Sequence, residues 1–380
     1  MAKAKGEKQP SGEVLATKTA SRARKVGEPT TKITQIDREL LRLFQQRAIL
    51  VLEAAKLRAD VPGQVDVVSG LEEESLGALV AGCRGPLPER CVRAILREVR
   101  SGCRSLVRHL RIAFLGPLYS YSHLAALNRF GQSVEFVPVG SIAAVFEEVD
   151  RNQSDFGLVP IENSTDGRIA DTLDMFTRIP IRICGEVEMR IHHTLLGKCP
   201  RTEVKEVYSR PQALSQCRNW LAKHLPTART IEVTSTSTAA QLATEKPGAA
   251  AIASLQAGVH YELDVLAENI EDNPGNTTRF AVIGDLIPHR TANDRTAMLF
   301  QVEHRPGALA EAMNIFKRNR VNLTWIESFP IPNSDRAYLF FVEMEGHESD
   351  ARLRRTVQAL KRKALRLEIL GSFPATQTIE

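Results

Sequence analysis

Four polar segments in the middle of this 380-residue chain combine hydroxyl and amide side chains just after predicted strands. They occupy residues 120–122, 162–165, 209–212 and 276–280. In open α/β sheets, ligands bind at the carboxyl ends of strands, beside helix N-termini whose N–H groups suit an anion. Singly, such side chains cap helices. Together, without a glycine-rich phosphate loop, they favour a cleft for a small carboxylate. The sequence has no Ser-His-Asp order, HExxH or Walker motif, so the residues alone indicate a small-anion enzyme or binding protein.

Alternating strands and helices are predicted to position these segments. Short apolar strands are predicted at residues 112–116, 134–139, 156–161, 181–187, 206–209, 230–235 and 250–254. Helical segments alternate with them, for example at 122–130, 142–150 and 212–225. This alternation predicts parallel sheets with helices on their faces, arranged as two α/β lobes with a cleft between them. The domain is assigned to residues 110–288.

The chain before this domain is predicted to be all-helical. Apolar residues recur at helical spacing over 33–58, and further helices are predicted at about 69–82 and 89–109. Residues 30–109 are therefore expected to form a three-helix domain. Its long helix exposes an apolar stripe that the short helices barely cover, so pairing with a second copy of the chain is expected.

The segment after residue 288 has a different pattern. Strands are predicted at 297–303, 323–329, 337–344 and 365–373, with a hairpin turn at 332–335, and helices at 308–318 and 351–364. The order βαββαβ predicts a ferredoxin-like sandwich over residues 289–380. Its sheet is expected to have a free face and an edge, both open to pairing with a second copy.

Composition and charge place the chain among globular proteins. It is 43% hydrophobic and 25% charged, which excludes full disorder, a collagen-like repeat and a disulfide scaffold. Residues 1–32 hold eight Lys or Arg and three Glu, a surplus equal to the net charge of +5, so the remaining chain is balanced. Residues 1–29 are predicted to be a disordered basic tail rather than a nucleic-acid-binding arm or a transit peptide.

The expected surroundings follow from signals that the sequence lacks. The sequence contains no run of about 18 apolar residues, so no membrane span is predicted. It contains no apolar signal segment, so export is not predicted. The six cysteines lack metal-ligand spacing, and the adjacent His192 and His193 would point to opposite faces of a strand, so no metal is expected. We expect a cytoplasmic protein with reduced thiols and without a nucleic-acid or membrane partner.

Motifs in all three regions resemble one family. GPLYSYSHLAAL (116–127), VPIENSTDGRIADTLD (159–174), IHHTLL (191–196), VYSRPQALSQCRNWL (207–221) and LAENIEDNPGNTTRF (266–280) look like prephenate dehydratase. RPGALAEAMNIF (305–316) and NLTWIESFP (322–330) resemble the ACT regulatory domain. IDRELLRLFQQRAILVLEAAKLR (36–58) with ILREVRSGCRSL (95–106) is similar to the AroQ-type chorismate mutase domain. Together they resemble the bifunctional P-protein family of phenylalanine biosynthesis, which implies a two-lobed, periplasmic-binding-protein-like dehydratase fold.

The resemblance implies conversion of prephenate to phenylpyruvate, with loss of CO2 and of the ring hydroxyl as water. Aromatisation drives this reaction, so no cofactor is expected. The family's essential threonine matches Thr278, whose hydroxyl is expected to donate a hydrogen bond to the leaving oxygen, directly or through water. Residues expected to contact substrate are Ser120, Ser122, Asn163, Ser164, Thr165, Thr172, Ser209, Gln212, Thr277, Arg279 and Phe280. Arg279 is expected either to pair with a substrate carboxylate or to brace the loop against Glu271 or Asp272.

Two positions in these motifs depart from the family pattern. Tyr119-Ser120 stand where the family has Gly-Thr, which keeps a hydroxyl and loses a flexible glycine. Arg210 stands where the family has histidine. Both changes are compatible with the dehydration chemistry.

The mutase-like domain departs further. A chorismate mutase site fixes a dianion with several cations, and two of the expected cations are missing, since Thr30 replaces an arginine and Gly70-Leu71 supply none. The remnants of the site are Arg47, Arg58, Glu72 and Ser101. Each lost charge-assisted contact costs about 1.5–3 kcal/mol. We therefore predict a degenerate mutase domain kept for dimerisation.

The C-terminal motifs imply a phenylalanine effector site. Its expected residues are Gly307, Ala308, Leu309, Asn322, Leu323, Glu327 and Ser328. Phe329 stands where the family has arginine, which alters the site or its closure, or places this ring at an interface. We expect phenylalanine feedback in a homodimer or tetramer. The alternatives are a fully bifunctional chorismate mutase/prephenate dehydratase, an arogenate dehydratase, and a non-catalytic aromatic amino-acid sensor; the intact NTTRF segment argues against the sensor.

Overall fold

The computed structural model describes residues 12–59, 79–80, 82, 84–330 and 338–376. The chain falls into two compact units that divide near residue 62. Helix α1 (Gly12–Ala59) is the described part of the first unit. The helix predicted at 69–82 lies largely outside the described residues, as do Gly70, Leu71 and Glu72.

Helix α1 corrects the prediction of a disordered tail for residues 12–29. The structure has one 48-residue helix that begins at Gly12, whereas the predicted helix begins at residue 33. Ala, Lys, Arg and Glu are frequent before Pro29, and a helix already formed over 33–58 extends without a new nucleation step. Pro29 lies inside the helix, where it lacks a backbone N–H donor.

Helix α2 (Glu89–Ser105), predicted as the third helix of the N-terminal domain, belongs to the second unit. The Glu98 carboxylate accepts a hydrogen bond from the Gln132 backbone N–H over 2.9 Å. Ser101 Oγ accepts one from the Ser133 backbone N–H over 3.1 Å. The predicted boundary between residues 109 and 110 therefore does not separate compact units.

The first sheet of the second unit has the strand order β2-β1-β3-β11-β5, with β4 paired to β3. Its strands are β1 (Arg111–Leu115), β2 (Glu135–Val139), β3 (Phe156–Asn163), β4 (Gly167–Arg168), β5 (Arg182–Arg190) and β11 (Thr277–Gly284). Helices α3 (Tyr121–Phe130), α4 (Ile142–Asp150) and α5 (Ala170–Arg178) pack against it. Strand β1 is parallel to β2 and β3, whereas β11 is antiparallel to β3 and β5.

The second sheet has the order β10-β6-β9-β7-β8. Its strands are β6 (Thr194–Gly197), β7 (Glu206–Ser209), β8 (Arg229–Glu232), β9 (Ala249–Ala253) and β10 (Asp264–Ala267). A 3₁₀ turn (Arg201–Glu203) and helices α6 (Pro211–Gln216), α7 (Arg218–His224), α8 (Thr236–Glu245) and α9 (Leu255–His260) complete this lobe. Strand β7 is parallel to β8 and β9, and β6 is antiparallel to β9 and β10.

Both sheets are mixed, which corrects the prediction of parallel sheets. The antiparallel strands β6, β10 and β11 are absent from the prediction. Strand β11 begins with Thr, Thr and Arg, a polar pattern that resembles a loop. The chain crosses between the lobes at residues 191–193 and 268–276. These two crossings run side by side, since Ile191 N–H donates to the Asn276 carbonyl (2.9 Å) and Ile270 N–H to the His193 carbonyl (3.0 Å).

The C-terminal domain has the predicted order βαββαβ, with the antiparallel sheet order β13-β14-β12-β15. Its elements are β12 (Asp294–Gln301), α10 (Ala308–Arg318), β13 (Leu323–Pro330), β14 (Tyr338–Glu345), α11 (Ala351–Lys361) and β15 (Arg366–Pro374). The predicted turn at 332–335 lies outside the described residues.

Both faces of the described C-terminal sheet carry buried core residues, contrary to the prediction of a free face. Its helix-covered side encloses a core that includes Phe300 and Phe316. On its other side, Leu299 and Phe341 share one continuous core with Phe146 of the first lobe.

Among the described helices, none is long and apolar enough to cross a membrane.

Candidate active site

The side chains of Thr278 and Asn163 form the centre of the polar cluster. Thr278 lies at the start of β11 and Asn163 at the end of β3, where the two residues are cross-strand partners. Asn163 Nδ2 donates to Thr278 Oγ1 over 2.9 Å. Thr278 is 8% exposed, so its hydroxyl is sheltered from bulk water without being sealed off.

Backbone hydrogen bonds fix the direction of the Asn163 amide. Its Oδ1 accepts from the backbone N–H groups of Thr165 (2.9 Å) and Asp166 (3.0 Å). Because a backbone N–H can only donate, this atom must be the oxygen, and the NH2 group must face Thr278. Asn163 thus occupies a lone pair of Thr278 Oγ1. The hydroxyl proton has no acceptor among the described residues and is available to a substrate oxygen.

The segments next to this pair, residues 164–165 and 276–277, are joined by hydrogen bonds. Ser164 N–H donates to the Thr277 carbonyl, and Thr277 N–H donates to Ser164 Oγ, both over 2.9 Å. Asn276 Oδ1 accepts from the hydroxyls of Ser164 (3.4 Å) and Thr165 (3.1 Å). The structure therefore brings together all the predicted site residues between 163 and 165 with those at 277 and 278.

A hydrogen-bonded chain continues from Asn276 to the second lobe. Asn276 Nδ2 donates to Gln216 Oε1 over 3.0 Å, and Gln216 Nε2 donates to the Asp166 carboxylate over 3.0 Å. Gln216 Oε1 also lies 2.9 Å from His193 Nε2. Because this oxygen can only accept, His193 carries a proton on Nε2.

His193 is buried, and burial lowers the pKa of its imidazole, so the ring is neutral near pH 7. With the proton on Nε2, its Nδ1 is an acceptor. The Tyr121 hydroxyl lies 2.9 Å from this Nδ1 and 2.8 Å from the His192 carbonyl oxygen. Burial also raises the pKa of Tyr121 well above its ordinary value, so the hydroxyl keeps its proton. The single proton of the Tyr121 hydroxyl is shared between these two acceptors, whereas the contacts from His193 through Gln216 to Asp166 have fixed donors and acceptors.

Arg279 does not brace the loop against Glu271 or Asp272. Glu271 instead accepts from the His193 backbone N–H (2.9 Å), and Asp272 accepts from two backbone N–H groups of α7. Neighbouring side chains on a strand point to opposite faces, so Arg279 lies on the side of β11 away from Thr278. Its guanidinium pairs with Glu162, Glu186 and Glu343, which leaves it committed to protein carboxylates.

Three of the residues predicted to contact substrate form hydrogen bonds to strand residues instead of joining the cluster. Ser120, Thr172 and Ser209 are buried and donate their hydroxyl protons to backbone carbonyl groups over 3.1, 2.6 and 2.7 Å. Ser120 also caps α3. These hydroxyls fix the geometry of the lobes and do not join the cluster at Thr278.

Three further predicted residues also lie apart from the cluster. Phe280 is 1% exposed in the core of the first lobe, and Ser122 is buried in the first turn of α3. Gln212 is exposed in the first turn of α6. Gln216, one helical turn later, makes the contacts with the cluster instead.

The loop before α3 joins the two lobes. Tyr119 has φ +64°, in the left-handed region that favours glycine, at the position where the family has glycine. Its ring stacks on His260 with centroids 4.0 Å apart, and its carbonyl accepts from Ser254 Oγ over 3.1 Å. Its N–H donates to His123 Nδ1 over 3.0 Å, and burial lowers the pKa of His123 to about 4. Tyr119 therefore lacks the backbone flexibility of the family's glycine, but its ring and carbonyl contact the second lobe.

The predicted mutase-site remnants are only partly described. Arg47 is half-buried on α1, the side chain of Arg58 lies outside the described residues, and so does Glu72. Ser101 is fully buried on α2, where it accepts from the Ser133 N–H. The Ser101 hydroxyl therefore packs α2 onto the first lobe of the second unit.

The predicted effector residues divide between two places. Gly307 has φ +85° and precedes α10, with Ala308 buried and Leu309 exposed. Asn322 donates to the Glu345 carboxylate over 2.9 Å, and Leu323 packs on the C-terminal core.

The other two predicted effector residues contact the first lobe. Arg168 Nη1 lies 3.0 Å from Glu327 Oε2 and 2.6 Å from the Ser328 carbonyl oxygen. Phe329, which stands in place of the family's arginine, packs against the core that the first lobe and the C-terminal sheet share.

Tyr121, Asp166, His193, Gln216 and Asn276 were missed as site residues. All of them lie inside the motifs quoted for the family, beside residues that were chosen. Their polar atoms meet only when the two lobes and both crossings have folded, so no local sequence signal identifies them. Among the described residues, no three His, Cys, Asp or Glu side chains are grouped as a metal site.

Comparisons with known proteins identify the family. Residues 112–286 match the family described as prephenate dehydratase, and residues 30–108 match chorismate mutase type II. The bifunctional chorismate mutase/prephenate dehydratase of Aquifex aeolicus is 39% identical over 356 residues, covering 90% of this chain and 96% of the relative.

Two solved structures are each similar to 70% of the chain. Prephenate dehydratase from Arthrobacter aurescens in complex with L-Phe has a TM-score of 0.66 and 31% identity, covering 70% of this chain and 92% of that one. A structure described as a novel type of quorum quenching acylase has a TM-score of 0.64 and 28% identity, covering 70% and 98%. On its match to both family models and its identity to the bifunctional relative, the chain belongs to the bifunctional chorismate mutase/prephenate dehydratase family.

Proposed function

We propose that this protein converts prephenate to phenylpyruvate, CO2 and water. The observation that carries this proposal is the direction of the Asn163 amide, which leaves the Thr278 proton available to a substrate oxygen. In prephenate, the electron pair of the breaking bond to the ring carboxylate moves into the ring and expels hydroxide, which becomes water by taking up a proton. A donor aimed at the leaving oxygen stabilises its developing charge.

Thr278 acts as a hydrogen-bond donor in this mechanism. A threonine hydroxyl is too weak an acid to give up its proton fully, so its contribution is electrostatic. Asn163 contacts its hydroxyl oxygen, and Asn276 and Gln216 hold the adjoining segments, before substrate arrives. Little reorganisation is therefore needed during the reaction. Aromatisation supplies the driving force, and the mechanism uses no cofactor.

The cluster does not favour acyl transfer, the activity named for one similar structure. An acylase nucleophile needs a base that takes its proton. The group that contacts Thr278 Oγ1 is the NH2 of Asn163, which only donates. Among the described residues, Thr278 therefore lacks the partner that would turn it into a nucleophile.

Separate assays of prephenate, arogenate and chorismate test this function. We expect turnover of prephenate that Thr278→Ala lowers by about 10²–10³-fold while the variant stays folded. Turnover of arogenate in preference to prephenate would make the protein an arogenate dehydratase. Binding of aromatic ligands without turnover of any of the three compounds would instead make it a sensor.

We further propose that the mutase-like region has lost its catalytic role and serves in dimerisation. The supporting observations are the missing cations at Thr30 and Gly70-Leu71 and the packing of Ser101 against the first lobe. The expected result is chorismate turnover at least about a hundredfold below ordinary enzymatic rates. Chorismate turnover at ordinary rates would show a fully bifunctional enzyme.

We propose that the C-terminal domain is an ACT domain that binds phenylalanine. The βαββαβ order and the motifs at 305–316 and 322–330 support this assignment, and a similar dehydratase was solved with L-Phe. The proposed setting is a cytoplasmic homodimer or tetramer. A titration of prephenate turnover with phenylalanine tests the effector, and no response to any aromatic amino acid would contradict it.

A further inference from the structure

A buried group of charges connects β11 to the C-terminal domain. Arg279 Nη1 lies 2.9 Å from Glu162 Oε2, and Nη2 lies 2.9 Å from Glu186 Oε2 and 2.8 Å from Glu343 Oε2. The Arg279 guanidinium also lies over the Trp325 ring, 5.6 Å from its centroid. These four partners, here called the Arg279 cage, come from β3, β5, β14 and β13. One side chain of β11 thus joins two domains.

The cage lies directly beside the proposed catalytic pair. Thr278 pairs with Asn163 across β11 and β3, and the next pair along the strands is Arg279 with Glu162. The register shifts between Arg279 and Phe280, which marks a β-bulge at this point. Bulges bend a strand and change the direction of its side chains. Arg279 is thus both the next residue after Thr278 and the residue that precedes this bulge.

A second contact from the C-terminal domain reaches the other side of the pair. Arg168, which binds Glu327 and the Ser328 carbonyl of β13, lies on β4. Strand β4 pairs with the end of β3, with Gly167 opposite Asn163. The C-terminal domain thus contacts β11, which carries Thr278, and β4, which pairs with the strand that carries Asn163.

We propose that Arg279 is a positioning residue for Thr278, and that the C-terminal domain builds the dehydratase site through the Arg279 cage. This inference rests on the proposed dehydratase function. Arg279 acts from the face of β11 opposite the substrate, so the loss of its anchors lowers the rate of the chemical step and leaves substrate binding nearly unchanged. A change in the C-terminal domain also reaches the site through Glu343 and Trp325.

The chain contains a matched control for this proposal. Arg182 and Glu348 also join the first lobe to the C-terminal domain, with 2.5 Å between Nη2 and Oε1. Arg182 pairs with Gly284, at the opposite end of β11 from Thr278. Glu343→Gln and Glu348→Gln each remove one carboxylate charge between the same two domains, but only Glu343 contacts Arg279, the neighbour of Thr278.

Steady-state kinetics of the full-length variants test the inference. Glu343→Gln is expected to lower kcat for prephenate by about tenfold with KM changed less than about twofold, whereas Glu348→Gln leaves both within about twofold. Arg279→Met is expected to lower kcat further, and Arg279→Lys to recover part of it. Hydrogen exchange at the amides of Thr277–Phe280 should increase in Glu343→Gln and stay unchanged in Glu348→Gln.

Two results would overturn the inference while leaving the dehydratase function intact. Equal kinetics in the two glutamine variants would make the cage a purely stabilising contact. A rise in KM at unchanged kcat in Arg279→Lys would return Arg279 to substrate binding. If the unmodified chain does not turn over prephenate, the proposed function fails, and the exchange comparison alone decides whether the cage holds β11.

Discussion

The cluster around Thr278 and the helix α1 differ in where the partners of their side chains come from. In the cluster, groups from residues 121, 163–166, 193, 216 and 276–278 meet, and each amide has a defined direction. On α1, the apolar residues Ile33, Ile36, Leu40 and Ile49 lie on one continuous segment and expose 43–59% of their surface. The first region is complete within one chain, whereas the second has an apolar stripe without a described cover.

The difference suggests two kinds of dependence on sequence. The catalysis proposed for Thr278 depends on precise polar contacts between distant segments, where one changed atom matters. The self-association proposed for the stripe on α1 depends on the apolar area that a second copy would bury. Such a surface tolerates exchange among apolar residues but not the introduction of a charge. Variants in one region should therefore leave the property carried by the other unchanged.

The largest effect is expected for Thr278→Val, which removes the donor hydroxyl and keeps the side-chain shape. Loss of one hydrogen-bond donor to a developing oxyanion typically lowers kcat about 10²–10³-fold. We expect this loss in prephenate assays, with the oligomeric state unchanged by sedimentation. Thr278→Ser, which keeps the hydroxyl, is the control and should retain most of the activity. Equal losses in both variants would show that packing, and not the hydroxyl, is responsible.

Much of the fold was predictable, because local patterns determine it. The strand Glu206–Ser209 and the helix Ala308–Arg318 have the predicted bounds, since apolar spacing and turn residues define them locally. Strand β11 was missed because its polar start resembles a loop, although β3 and β5 cover it on both sides. The motif resemblance predicted Thr278 and Asn163 as site residues, and the structure brings their side chains together. It did not find Gln216, whose role depends on contacts with Asn276 and His193 from other segments.

The next effect concerns the pH dependence of stability through His123. Its pKa is about 4 in the folded state and near 6.5 when unfolded, so the unfolded chain binds a proton first as the pH falls. Stability is therefore complete above about pH 6.5 and declines by about 3 kcal/mol towards pH 4. Denaturant unfolding of the second unit at several pH values measures this loss.

His123→Asn separates this titration from other acid effects. The asparagine oxygen can accept the Tyr119 N–H that His123 Nδ1 accepts now, but it does not titrate. The variant should lose most of the decline between pH 6.5 and pH 4, whereas His304→Asn at an exposed position should keep it. An unchanged slope in His123→Asn would assign the decline to other groups.

A smaller effect is expected when a charge is placed on the α1 stripe. Leu40→Asp puts a carboxylate among exposed apolar residues and should weaken self-association by about tenfold or more, because burying the charge is costly. Prephenate turnover per chain should stay within about twofold, since the cluster at Thr278 is complete in one chain. Arg38→Asp, two residues away on the other side of the helix, is the control. Analytical ultracentrifugation with parallel assays would contradict the comparison if both variants behaved alike.

The smallest effect is expected for Glu39→Gln on the polar side of α1. Glu39 pairs with Arg42 one turn later, with 2.8 Å between Arg42 Nε and Glu39 Oε2, and both side chains are more than half exposed. Solvent screening makes such pairs nearly neutral for stability. We therefore expect the Tm to change by less than about 2 °C and the association to stay as it is. Since Leu40 is the next residue, dissociation in Glu39→Gln would mean that the covered surface of α1 extends beyond its apolar stripe and includes this ion pair.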